Sequence, residues 1–252
     1  MSRFYDFLAP ILGAGSAGAL LLALIFLLRG ALRKYWIIAA YVVWELFAAV
    51  ALTVADVVLH GSSAEAAHSA ANQLYARLYW TNDVIEDLFR FVLVIVLIYW
   101  SSGGAKRVSG RLLTILLLLM IVLPFVIFNP QANPLEIDGI HFLFPSSAWF
   151  NSTSELLNFG AAIMNLILWA ALIASRRRDP QLLAVSAGLG VLVAGTALAY
   201  GLRHLTGPNP TQFGAVAALF LNLTQLAGFS IWCWAFRPAP GPQPVSKAVS
   251  SS

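Results

Sequence analysis

Four ionisable residues stand three and four apart in one apolar stretch: Asp83, Glu86, Asp87 and Arg90, within YWTNDVIEDLFRF. On a helix that spacing puts all four on one face. The carboxylates supply acceptors that can hold a cation or pass a proton, and arginine supplies five donors in a fixed fork that matches carboxylates. An ionisable residue at the centre of a bilayer costs at least about 2.5 kcal/mol, so such residues turn inward and find partners. Glu86 and Arg90 form an i,i+4 pair in the favourable order. Either they neutralise each other and pin the helices, or they mark a functional site. Asp83 and Asp87 are left over, and hydration near the membrane surface accounts for them as well as a ligand does.

Other apolar stretches carry polar residues at helical spacing. Asn151, Glu155, Asn158, Ala162, Asn165 and Trp169 recur every three or four positions. Glu45 and Asp56 are three helical turns apart. Tyr200, Arg203 and His204 close one stretch, and Asn222 and Gln225 lie mid-way along another. Together these predict an outward-facing polar cavity lined by the second, third, fifth, sixth and seventh spans. Its candidate ligand or ion contacts are Asp83, Glu86, Asp87, Arg90, Glu155, Asn158, Arg203, His204, Asp56 and Glu45. Asn165, Asn222 and Gln225 serve equally well as hydrogen-bonding glue between helices. Glu45, beside Tyr41 and Trp44, is expected nearer the cytoplasmic side as a lone carboxyl, either a proton relay or a neutral hydrogen-bonded group.

The elements that must position these residues follow from composition. Of the 252 residues 60% are hydrophobic and 10% charged, against about 25% charged in a soluble domain. Seven stretches approach the ~20 apolar residues needed to cross a bilayer: 7–28, 36–58, 80–100, 112–129, 149–174, 181–203 and 211–236. The basic residues set the orientation. Arg29, Arg33, Lys34, Lys106, Arg107, Arg111, Arg176, Arg177, Arg178, Arg237 and Lys247 fall in alternate connections and the tail, and only Asp179 among the acidic residues joins them. The positive-inside rule makes that side cytoplasmic. The expected fold is an all-α membrane protein, a bundle of seven transmembrane helices over residues 1–237 with the N-terminus outside. A disordered cytoplasmic tail over 238–252 follows. Trp36, Trp100, Trp232 and Trp234 are expected in the inner aromatic belt, and Trp80 and Trp149 in the outer one. Gly13, Gly15, Ser16 and Gly18 permit close packing of the first helix. Residues 59–79 are expected to form an interfacial helix, and the proline-rich 129–148 an irregular loop. The expected location is a cell membrane, in the multi-pass manner of bacterial inner-membrane proteins.

Several chemistries lack their residues. Covalent retinal needs a lysine inside the membrane, and Lys34, Lys106 and Lys247 all lie outside the spans. The four histidines show no HxxxH or HExxH spacing, so no metal site is assigned. No serine or cysteine stands in a nucleophile motif, so no catalytic residue is assigned. The basic balance follows membrane topology and does not call for nucleic acid.

The RGALRKY turn after the first span, the aromatic-rich second span and the YWTNDVIEDLF opening of the third resemble small bacterial seven-helix membrane proteins. That likeness implies a fold over spans one to three and, with no activity assigned to the group, carries no functional residue. The function expected is binding, sensing or transport of a small molecule or ion in the cavity. The alternatives are a non-catalytic subunit that meets other membrane subunits or a second copy of itself, and an intramembrane enzyme acting on a lipid or quinone.

Overall fold

The computed structural model describes residues 2–60, 65–101, 110–128, 133–137, 140–174, 179–205 and 211–238. Its helices are α1 (Ser2–Phe26), α2 (Trp36–His60), α3 (Glu65–Ser101), α4 (Gly110–Ile127), α5 (Ser147–Ala174), α6 (Pro180–Leu205) and α7 (Thr211–Phe236). A π-helical turn, Leu27–Ala31, extends α1. Long apolar stretches take this form because a helix satisfies all its backbone hydrogen bonds within its own segment, as lipid demands.

Five helices (α1, α2, α5, α6 and α7) are long and apolar enough to cross a membrane. Many large exposed side chains are apolar as well, among them Phe47, Val50, Val54 and Val57 on α2 and Leu118, Val122 and Val126 on α4. Contiguous apolar surface of this kind is what faces lipid. The chain is thus a helical, multi-pass type of membrane protein. Of the proposed tail, residues 239–252 lie outside the described residues.

The bundle has two distinct ends. At one, Tyr35 packs against Trp100 and Phe236 with ring centroids 5.6 and 5.3 Å away. There Lys34 Nζ lies 3.0 Å from Asp179 Oδ2; this is the basic end. At the other, Trp149 packs on Phe125 at 4.9 Å and Phe150 on Trp80 at 6.2 Å. This hairpin end carries the connection from α4 to α5. That connection corrects the expectation of an irregular loop. It contains strands β1 (Asn133–Ile137) and β2 (Ile140–Phe144), paired antiparallel from Asn133↔Phe144 to Ile137↔Ile140. The intervening Asp138-Gly139 is the sequence signal for a tight hairpin, and the flanking prolines obscured it. The helix expected ahead of the third span is present from Glu65 and continues into that span without a break, so that α3 runs for 37 residues.

Helix α6 is the central one. Over its most apolar window 67% of residues are buried, against 22–33% for the other four long apolar helices. It meets α7 closely. A Cβ at Gly188 would stand 2.5 Å from Trp232 Cδ1 and 2.9 Å from the Gly228 carbonyl oxygen, and one at Gly228 would stand 2.6 Å from Leu192 Cγ. Small residues let the two backbones approach. The glycines expected in that role do not play it: a Cβ at Gly13 or Gly18 would enter open space, and at Gly15 it would make an ordinary 3.4 Å contact with Leu226.

Trp232 also departs from expectation. It is fully buried rather than interfacial, and its Nε1 donates to the Val185 carbonyl at 2.9 Å. Trp149 is likewise buried, donating to the Pro124 carbonyl at 3.2 Å. Trp36 and Trp234, 60% and 58% exposed, lie on the surface of the bundle. Between Arg90 and the basic end the bundle is filled mainly by apolar side chains, Ile38 and Val42, Phe91, Val94 and Leu97, Val185 and Leu189, Phe229 and Trp232, and by the buried Ser186 hydroxyl, which donates to Asn165 Oδ1 at 3.3 Å.

Candidate functional site

Arg90, 1% exposed, lies on α3 at the level where the polar residues of α2, α3, α6 and α7 give way to the apolar core. Its partners come from three helices. Nε donates to the Tyr41 hydroxyl at 3.1 Å. Nη1 donates to Asp87 Oδ1 at 3.0 Å and to Thr196 Oγ1 at 3.1 Å. Nη2 pairs with Glu86, one turn back on α3, and stands 3.7 Å from Glu45 Oε1. Nε and Nη1 are thus hydrogen-bonded, whereas Nη2, close to two carboxyls, makes no hydrogen bond of good geometry. Tyr41 and Thr196 extend the network, the first by donating to Glu45 and the second by donating to the Leu192 carbonyl at 2.9 Å.

The i,i+4 pair read from the sequence is therefore one edge of a larger cluster. Glu45 is not a lone carboxyl; it faces Arg90 across the α2–α3 interface, beside its own Tyr41 one turn earlier. Asp87 is fully buried on the side of α3 that faces α5. One of its oxygens takes the Arg90 bond, and the other, Oδ2, is buried without a hydrogen bond. Asn158 of α5 is buried too. Its Nδ2 donates to the Ser154 carbonyl at 2.9 Å while its Oδ1 has no hydrogen bond. Asp83, one turn nearer the hairpin end than Asp87, accepts from the Tyr200 hydroxyl of α6, with Ser154 Oγ 3.5 Å away on α5.

A cavity of about 250 Å³ opens on the hairpin side of Arg90. From α2 it is walled by Glu45, Ala48, Ala49 and Leu52, and from α3 by Tyr79, Asn82, Asp83, Glu86 and Arg90. Thr196, Ala199 and Tyr200 of α6 and Leu221, Asn222 and Gln225 of α7 complete it. Helix α5, expected on the wall, instead backs α3 from behind.

No protein-family model, curated protein or solved structure matches this chain. What the site can do follows from its own geometry. Four of the sequence candidates, Glu45, Asp83, Glu86 and Arg90, share the cavity wall. Asp87 and Asn158 form the layer behind it. Glu155 is half-buried on α5 and does not reach the cavity, and Asp56 is exposed farther along α2. The side chains of Arg203 and His204 lie outside the described residues. Tyr41 and Thr196 entered only with the structure. Tyr41 had a signal, standing four residues before Glu45; Thr196 had none, because its place depends on how α6 is rotated against α3.

The arrangement has a definite chemical bias. The Arg90 guanidinium is held among Glu45, Glu86 and Asp87, and Glu45, Asp83 and Glu86 line the cavity beside it. Carboxyls outnumber the one guanidinium, and a positively charged group entering the cavity would balance them. Among the described residues no three of His, Cys, Asp and Glu converge closely enough to hold a metal ion.

Proposed function

We propose that this protein is a seven-span membrane protein, N-terminus outside and C-terminus cytoplasmic, whose outward-opening cavity binds a small cation, an organic one carrying an amine or similar group in particular. The observation that carries the reading is the cavity wall: three carboxyl side chains beside a single arginine that is already ion-paired to carboxyls. Binding in the service of sensing or transport fits such a pocket, since an ionisable cluster inside a membrane is costly to keep unless it is used.

The topology has support beyond the five long apolar helices. Helix α3 contacts both ends of the bundle, through Trp80 and Trp100. Its low hydropathy comes from charges turned inward. Helix α4 has 18 residues, about 27 Å at the helical rise, close to the thickness of the hydrocarbon core. The basic end collects Arg29, Lys34 and Arg237, as a cytoplasmic face does.

Thermal melting of the purified full-length protein in a mild detergent tests the binding claim. Small amines and quaternary ammonium ions should raise the melting temperature where neutral analogues of the same shape do not, and Asp83→Asn should abolish the difference. Equal shifts from charged and neutral compounds, or the same shifts in Asp83→Asn, would contradict it.

A further inference from the structure

A second cavity, about 230 Å³, lies at the basic end, remote from the carboxyl site. It is formed where the π-helical turn after α1, the start of α2, the start of α6 and the end of α7 come together, and Arg29, Lys34, Tyr35, Gln181 and Arg237 line it. A π-helical turn is rare and tends to occur at functional sites. A Cβ at Gly30, within that turn, would meet nothing within 4 Å, so the glycine is not there to let another protein segment approach.

Charge at this cavity is unbalanced. Three cations line it. One carboxylate is near, Asp179, and it is already engaged by Lys34 and by the backbone N–H groups of Gln181 and Leu182 at 3.0 and 3.1 Å. Among the described residues Arg29 and Arg237 have no carboxylate partner; the Arg237 guanidinium lies 5.3 Å from the Trp234 ring centroid. A second, independent observation points to a guest. The Tyr35 side chain is fully buried beside the Lys34 ammonium, which can only donate, so its hydroxyl hydrogen finds no acceptor, a costly condition for a buried donor. An anion with several acceptor oxygens would meet the cations and that hydroxyl together, near the start of α6, where a helix dipole favours negative charge.

The surroundings say what brings the anion. Leu28, Leu32 and Trp36 beside the cavity are 59%, 39% and 60% exposed, and Trp234 is 58% exposed. Exposed tryptophans mark headgroup depth, and exposed leucines next to them suit acyl chains. We infer that the basic-end cavity binds the phosphate of an anionic phospholipid, with Arg29, Arg237 and Lys34 as its charge partners and the Tyr35 hydroxyl as a donor. Basic pockets between helices on the cytoplasmic side have the right chemistry for such headgroups.

The test uses the full-length protein, delipidated in detergent and returned to vesicles of phosphatidylglycerol or of phosphatidylcholine. Phosphatidylglycerol should protect against heat and be retained through washing, as native mass spectrometry would show. Arg29→Gln with Arg237→Gln should weaken that retention by about tenfold or more. Tyr35→Phe keeps the ring packing on Trp100 and Phe236 and removes only the hydroxyl. It should raise the melting temperature of the delipidated protein while shrinking the increment from phosphatidylglycerol, a pairing that a purely structural hydroxyl would not produce. Equal protection by both lipids, or an unchanged preference in the arginine variant, would overturn the inference. An equal shift from millimolar inorganic phosphate would overturn the lipid assignment and give the site to a soluble phosphate.

Discussion

The two halves of the bundle are built by the same helices and could hardly differ more. On α3 the change falls between Arg90 and Phe91, and on α7 between Gln225 and Phe229. On α6 it falls between Thr196 and Val193, and on α2 around Tyr41 and Glu45. On the hairpin side of that level polar side chains line a cavity; on the basic side, before the second cavity is reached, the side chains are mostly apolar and closely packed, with the Ser186–Asn165 hydrogen bond as a buried polar contact. Four helices switching character at one level is the signature of a pocket with a sealed floor. Arg90 is that floor. The packed half fixes the helices against one another, and the open half can then hold carboxyl groups apart around a space, which an apolar bundle has no means to do.

The most damaging way to break this contrast is to remove its boundary. Arg90→Ala leaves Glu45, Glu86 and Asp87 without their cation and should cost about 3–5 kcal/mol, read by unfolding in mixed detergent micelles. Neutralising Glu86 along with Arg90 should not restore the fold, since Asp87 and Glu45 remain; changing Glu86, Asp87 and Arg90 together to neutral residues should restore most of it. Full recovery in the double variant would mean that the i,i+4 pair acts alone.

The packed half should be sensitive to added volume where the cavity half is not. Gly188→Ala drives a methyl group into Trp232 and the Gly228 backbone and should cost about 1–3 kcal/mol. Ala48→Val on the cavity wall should be tolerated to within about 0.5 kcal/mol while reducing ligand-dependent stabilisation. Equal losses from both changes would mean that the two halves are packed alike.

The smallest effects belong to the rim at the basic end. Asp179 caps α6, and Asp179→Ala should cost about 1 kcal/mol, whereas Asp179→Asn, also a good cap, should be nearly neutral. For Asp179, burial pushes the pKa up, but the hydrogen bonds from Leu182 and Lys34 outweigh it and the value ends lowered from 3.8. For Lys34, burial pulls the pKa down, but the Tyr35 and Asp179 side chains outweigh it and the value ends raised from 10.5. The carboxylate's contribution is complete above its ordinary value and is lost as pH falls through its lowered one. The ammonium's is complete below its ordinary value and is lost as pH rises through its raised one. Between those limits the contact should add no pH dependence, and since both groups are largely exposed it should matter little in all. A pH-titrated melt of wild type against Asp179→Asn checks this; a difference that changes near neutral pH would contradict it.

Much of this contrast can be traced to local spacing. Charges three and four apart announced the face of α3, because helix periodicity is a property of one segment. The distribution of basic residues likewise announced which loops share an end. What spacing could not deliver was the rotation and depth of one helix against another. Thr196 meeting Arg90 and Tyr200 meeting Asp83 depend on that, as does the turning of α5 behind α3, away from the cavity. The α6–α7 contact did leave a trace: Ala184 with Gly188, and Thr224 with Gly228, are small residues four apart. The glycines of α1 drew more weight because they are more numerous, yet number of glycines says nothing of which face meets a neighbour. The engagement of Glu45 is hidden from the sequence for a related reason. Its partner is distant in sequence, and only the Tyr41 one turn before it hinted that it was engaged.

The central claim is an outward-opening cavity that favours positive charge, and the rate of modification of a cysteine on its wall tests that claim most directly. With Cys233→Ser as background, Asn222→Cys on α7 would be exposed in intact cells to membrane-impermeant methanethiosulfonates of opposite charge. The account predicts that the cationic ethyltrimethylammonium reagent reacts from outside at least about tenfold faster than the anionic ethylsulfonate, each rate taken relative to that with a small free thiol. Asp83→Asn with Glu86→Gln should bring the two rates together. Equal rates in the unaltered cavity, or reaction only after the membrane is opened, would contradict it.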